Sequence, residues 1–110
     1  MIKSKRHETE LTVFLSGEID HCTSSQMRED IESLWAKRQA THLILDFSNV
    51  SFMDSSGIGM IIGRYKTVSS TGGTVSASGL HPPIDRLFHM AGLHRILRIT
   101  DHIDREENKR

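Results

Sequence analysis

Residues 42–66 read HLILDFSNVSFMDSSGIGMIIGRYK, and the change of pattern inside them decides the fold. His42 to Phe47 form a short, nearly continuous apolar run, as in a strand covered on both faces. From Ser55 onward the period changes. Ile58, Ile61, Ile62, Tyr65 and Val68 recur as one stripe of a helix. Gly72 and Gly73 stop it, because glycine takes the left-handed closing conformation without strain.

The same alternation extends in both directions. Upstream, Leu11, Val13 and Leu15 alternate with Thr12, Phe14 and Ser16, the two-residue period of a strand, which Gly17 is expected to end. Met27, Ile31, Leu34 and Trp35 then form a helical stripe, with Thr23 and Gln26 spaced as a capping box. Downstream, Val75 and Ala77 suit a short strand. Pro82 and Pro83 open a third helix, whose first turn needs no amide donors. Its stripe is Ile84, Leu87, Phe88 and Ala91, its stop is Gly92, and Ile96 to Ile99 supply a last strand. The first ten residues carry a weak pattern that would suit an edge strand. Their basic start (Lys3, Lys5, Arg6) and the mixed tail from Asp104 to Arg110 read as solvated, frayed ends. Strands alternating with short helices imply an α/β fold with a mostly parallel sheet and crossover helices.

A chain of 110 residues with 36% apolar content supports one domain and one modest core. Lys and Arg together number 14, as do Asp and Glu, so no basic excess points to nucleic acid. Cys22 is the single cysteine, which excludes an intrachain disulfide and a four-thiolate zinc site and fits a reducing compartment. No apolar run approaches the roughly 20 residues that span a bilayer, and residues 1–10 lack a signal-peptide core. The expectation is a cytoplasmic protein without membrane or nucleic-acid contacts, monomeric when free.

The start of the second helix is locally costly. Gly57, Gly59 and Gly63 fall in its first turns, and each costs about 0.5–1 kcal/mol against alanine in a helix interior. Close packing would account for Gly59 and Gly63, which share a face. A partner approaching the backbone would account for Gly57 and Gly59. Asp54, Ser55 and Ser56 stand just before. Helix capping explains one or two of these three polar residues. A serine hydroxyl at a helix N-terminus and at the carboxyl end of a strand is also exposed where α/β sheets meet ligands, and the free amides there favour an added negative charge. If the first strong strand and HLILDF are parallel neighbours, Asp20 and His21 lie at the same edge.

Enzyme readings are weak. The pattern G-x-G-x-x-x-G is a loose dinucleotide fingerprint, but no acid follows at the ribose-binding distance. The nucleophile elbow G-x-S-x-G is absent, and His21 beside Asp20 is the only plausible base near Ser55. No H-E-x-x-H and no paired Cys/His spacing points to zinc. No enzyme activity, cofactor or metal is expected.

The motifs LSGEIDHCT, LILDFSNVSFMDSSGIGMIIGRYK and PPIDRLFHMAGLHRILRI resemble the STAS family (sulfate transporter and anti-sigma factor antagonist) over about residues 8–100. Within it they are most similar to the bacterial anti-sigma factor antagonists of the sporulation type. The resemblance implies a single STAS domain over residues 1–110, with a four- to five-stranded, mostly parallel or mixed sheet and three to four helices. It implies that the unphosphorylated protein binds an anti-sigma factor serine kinase carrying nucleotide, and so releases a sigma factor. Phosphorylation at Ser55 ends the binding, and a PP2C-type phosphatase resets it. It places Asp20, His21, Met53, Asp54, Ser56, Gly57, Ile58 and Gly59 in the docking surface. It also implies a C-terminal helix, for which the charged tail after Ile99 is short. A STAS module for interaction or ligand sensing in another signalling complex is the alternative.

Overall fold

Apolar alternation organises the structure, a computed structural model that describes residues 2–100. In chain order it contains β1 (Ile2–His7), β2 (Glu10–Ile19), α1 (Ser24–Arg38), β3 (His42–Met53), α2 (Ser55–Ser69), β4 (Thr74–Ser78), α3 (Pro82–Met90), a 3₁₀ turn at Leu93–Arg95 and β5 (Arg98–Thr100). The strands form one mixed five-stranded sheet in the order β1-β2-β3-β4-β5. β1 runs antiparallel to β2, and the other three pairings are parallel.

Sequential strand order has a consequence for the helices. Crossovers that keep one hand and always step in the same direction place every helix on the same face of the sheet. That face is built from Leu43, Leu45 and Phe47, which alternate along β3 and are wholly buried. Leu43 lines a small apolar cavity together with Ile31 of α1 and Val68 of α2, and Phe47 meets the Phe88 ring of α3 edge-on at 5.3 Å. Leu11, Val13 and Leu15 extend this core along β2.

Several boundaries differ from the sequence reading. β2 does not stop at Gly17 but continues to Ile19, through register shifts on either side of Ser16 and Gly17 that bend it. β3 likewise runs beyond Phe47 to Met53. The basic N-terminus is not frayed: Ile2 to His7 pair along β2, and the exposed Lys3, Lys5 and Arg6 charge the sheet edge. Thr23 makes no capping bond, and Gln26 bonds to Asp30 instead, so the capping box is absent. Ala91 is exposed and caps α3 rather than packing under it, and Gly92 (φ 74°) closes the helix as expected. The expected C-terminal helix and the charged tail lie outside the described residues.

The α2 stripe also shifts. Gly57, Met60, Ile61, Arg64 and Val68 are buried, with Ile58, Ile62 and Tyr65 only partly so. Arg64 is 6% exposed, and its guanidinium donates to Glu32 of α1 at 2.6 Å, pinning the two helices together.

Candidate functional site

The site lies where β2 and β3 end together. Ile19 pairs with Met53, and the Asp54 amide donates to the Ile19 carbonyl at 3.2 Å, the last bond before the chains part. The next residues of each chain, Asp20 and Asp54, therefore stand side by side at the carboxyl edge of the sheet.

Asp54 is extended (φ −115°, ψ −167°) and caps α2: its Oδ1 accepts from the Ser56 amide at 2.8 Å. The Asp54 carbonyl accepts from the Gly57 amide at 3.0 Å. Ser55 is thereby fixed as the first residue of α2. Its side chain is exposed, and its hydroxyl makes no hydrogen bond among the described residues. The Ser56 and Gly57 amides are thus taken up by Asp54, and what favours an anion here is the positive end of the α2 dipole.

The neighbouring loop is wired differently. Asp20 Oδ1 accepts from the amides of Cys22 (2.9 Å) and Thr23 (3.1 Å), and the Thr23 hydroxyl oxygen lies 3.2 Å from it. Thr23 Oγ1 accepts from the Asp20 amide at 2.9 Å and donates to the Glu18 carbonyl at 2.9 Å. The Thr23 amide, followed by that of Cys22, holds the Asp20 carboxyl below its ordinary value of 3.8, so it is anionic at neutral pH. His21 and Cys22 project from the loop into solvent.

Gly57 explains why the turn sits so close to the sheet. A Cβ at this position would overlap Met53 Cγ, lie 2.7 Å from Met53 Sδ and 3.0 Å from Ile19 Cγ2. Gly59 and Gly63 have open space where a Cβ would be. The packing role expected for Gly59 and Gly63 thus belongs to Gly57. Among the expected docking residues, Asp20, His21, Asp54, Ser56, Ile58 and Gly59 reach the surface at least in part. Met53 (3% exposed) and Gly57 are buried, a correction to their expected surface role: they set the height of the turn and offer no contact area.

Two further residues shape this edge. Phe52 is 49% exposed, because two adjacent apolar residues on a strand face opposite ways and Met53 takes the core side. That pairing in the sequence was a usable signal. Arg28 of α1 lines a shallow groove with Ser24, Ser25, Ser56, Gly59 and Met60. It brings a positive charge beside an edge otherwise marked by Asp20 and Asp54. Its signal was faint, a lone basic residue one turn beyond two serines.

The model of the STAS domain family matches residues 1–106. The chain belongs to the STAS family. Among relatives of this STAS domain, the anti-sigma F factor antagonist of Paenibacillus polymyxa is 42% identical over 101 residues, which cover 92% of this chain and 86% of that protein. The anti-sigma-B factor antagonist of Bacillus subtilis (strain 168) is 33% identical over 96 residues, covering 87% and 86%. The solved structure of the anti-sigma factor antagonist SpoIIAA in its unphosphorylated form superposes with a TM-score of 0.81 at 26% identity, covering 97% of this chain and 92% of that one. The structure of the Bacillus cell fate determinant SpoIIAA in the phosphorylated form gives 0.74 at 26% identity, covering 97% and 96%. No helix among the described residues of this STAS domain is long and apolar enough to cross a membrane.

Proposed function

We propose that this STAS domain is an anti-sigma factor antagonist switched by phosphorylation of Ser55. In this reading the unphosphorylated protein docks on an anti-sigma factor serine kinase with bound nucleotide, and a sigma factor is released. The kinase then transfers phosphate from ATP to Ser55, the complex dissociates, and a PP2C-type phosphatase restores the hydroxyl. The protein is a substrate and binding partner in the cytoplasm and performs no catalysis itself. The relatives carry both sigma F and sigma B names, so the proposal is for the class of antagonist and not for one sigma factor.

The observation that carries the reading is the Ser55 hydroxyl, exposed and unbonded at the first position of α2. A kinase can reach it without unfolding the chain. A phosphate there adds about −1.5 to −2 charges at neutral pH. The helix N-terminus tolerates that charge, so α2 has no reason to melt. The effect falls on the partner, whose surface must match a neutral hydroxyl flanked by Asp54 and Asp20. Docking also uses His21, Ser56, Ile58 and Gly59, and Phe52 supplies an aromatic anchor of the kind that dominates interfaces.

Pull-down with a kinase-type anti-sigma factor and nucleotide tests the proposal. The wild-type chain and Ser55→Ala are expected to bind, and the phosphorylated chain to be lost from the complex. Equal retention of the phosphorylated and unmodified chains would refute it.

A further inference from the structure

Asp85 in the first turn of α3, His89 in its last turn and His94 beyond it gather in one cluster, and none of the three is among the residues assigned to docking. Asp85 and His89 are four apart on α3 and so share a face, and the 3₁₀ turn folds His94 back against them. His94 Nε2 lies 3.3 Å from Asp85 Oδ1, and His89 Nδ1 lies 3.6 Å from Asp85 Oδ2. Each residue offers one ligand atom such that all three lie within 4.8 Å of one another. The two imidazole rings are in face contact, with centroids 3.7 Å apart and planes 30° apart.

The direction of His94 is the informative feature. Its Nε2 is buried and makes no hydrogen bond among the described residues, although a carboxylate oxygen is 3.3 Å away. The two atoms lie at ion-pair distance with no hydrogen bond between them. Ligands of a common cation have this relation. Donor atoms about 2.0–2.2 Å from a tetrahedral ion are about 3.3 Å apart, and each lone pair points at the ion and not at its neighbour. The His89 side chain is 62% exposed, so its ring can leave the contact with His94 and turn to close the remaining gap. His89 Nδ1 also meets the Asp85 carbonyl at 3.1 Å, a contact that this nitrogen gives up when it turns to the ion.

We propose that Asp85, His89 and His94 bind one divalent transition-metal ion of the zinc class. Two imidazoles and one carboxylate are the donors such ions take, whereas calcium and magnesium prefer oxygen alone. Three protein ligands leave a tetrahedral position open to water or to a group from a partner. The groove along Leu80, Pro82 and Arg86 gives access to Asp85 and His89. Coordination would tie α3 to the turn before β5. The spacing Asp-x₃-His-x₄-His matches none of the zinc motifs sought in the sequence, because its third ligand arrives through the fold of the 3₁₀ turn.

Chelator-treated full chain titrated with Co²⁺ and Zn²⁺, followed by calorimetry and by the visible absorption of Co²⁺, tests the site. One ion per chain is expected, with His89→Ala and His94→Gln each weakening binding at least about tenfold and His7→Ala leaving it unchanged. His89→Ala is the decisive variant, since removing an exposed side chain does not endanger folding. No saturable binding in the micromolar range, or the same affinity in His89→Ala as in wild type, would overturn the proposal.

Discussion

Two acid-led turns stand side by side at the carboxyl edge of the sheet, and they use their hydrogen bonds in opposite ways. The Asp20–Thr23 loop turns its polar groups inward. One carboxylate oxygen accepts two amide bonds, and the Thr23 hydroxyl accepts from the Asp20 amide while donating to the Glu18 carbonyl. The Asp54–Ser56 turn uses one side-chain bond to start α2 and leaves the Ser55 hydroxyl free. The first turn is a rigid frame. The second holds a reactive group in a fixed place without occupying it. A switch needs both properties, because a modification changes binding cleanly only when the surface around it does not move.

The largest expected effect is on the free side of this comparison. Ser55→Asp should weaken binding to the anti-sigma kinase by two to three decades, a loss of about 3–4 kcal/mol, while circular dichroism and the melting curve stay those of wild type. A marked loss of helix on that substitution would mean that the turn is not a preformed platform. Next in size is the anchor beside it. Phe52→Ala should lower affinity about tenfold, as truncating an interface aromatic does, with no loss of thermal stability. Titration calorimetry showing unchanged affinity would remove Phe52 from the docking surface.

The glycines sharpen the same contrast through stability. Gly57→Ala should destabilise by about 1–3 kcal/mol, because the new methyl overlaps Met53 and crowds Ile19 in a packed site. Gly63→Ala meets open space and should stabilise by about 0.5–1 kcal/mol. Urea denaturation of the two variants reads both signs, and destabilisation by Gly63→Ala would contradict the packing described.

The smallest effects are those of pH. Asp20 has a folded pKa below 3.8, so between the two values the unfolded chain binds more protons. Its contribution to stability is present above pH 3.8 and is lost as pH falls through the folded value. Asp20→Asn should make the acid limb of the stability profile shallower. His42, at the opposite end of β3, bonds to Thr74 and Ser76, and burial pushes its pKa below 6.5. The unfolded chain again holds more protons, so stability should decline as pH falls below 6.5, and His42→Gln should remove that earlier decline.

The order of elements, the parallel sheet and the position of Ser55 were all legible in the sequence, because each rests on local periodicity or on the chemistry of a helix start. What was not legible depends on the approach of distant segments. The weak pattern of residues 2–7 becomes a strand only because β2 offers a partner edge. Gly17 reads as a stop, yet the bulge beside it lets β2 continue to Ile19 and so brings Asp20 next to Asp54. Gly57 looks exposed by its place in the helix, and only the Met53 side chain beneath it shows why a Cβ cannot fit. The burial of Arg64 on α2 depends on Glu32 of α1, a pairing across 32 positions that local periodicity does not reveal.

The account depends on phosphate going to one hydroxyl. Incubating the chain with a kinase-type anti-sigma factor and ATP, then mapping the product by peptide mass spectrometry, measures this directly. A single phosphate on Ser55, absent in Ser55→Ala, is the expected result. Phosphate on Ser56, Ser25 or Thr71 in its place, or an unmodified chain under conditions where the kinase is active, would contradict it.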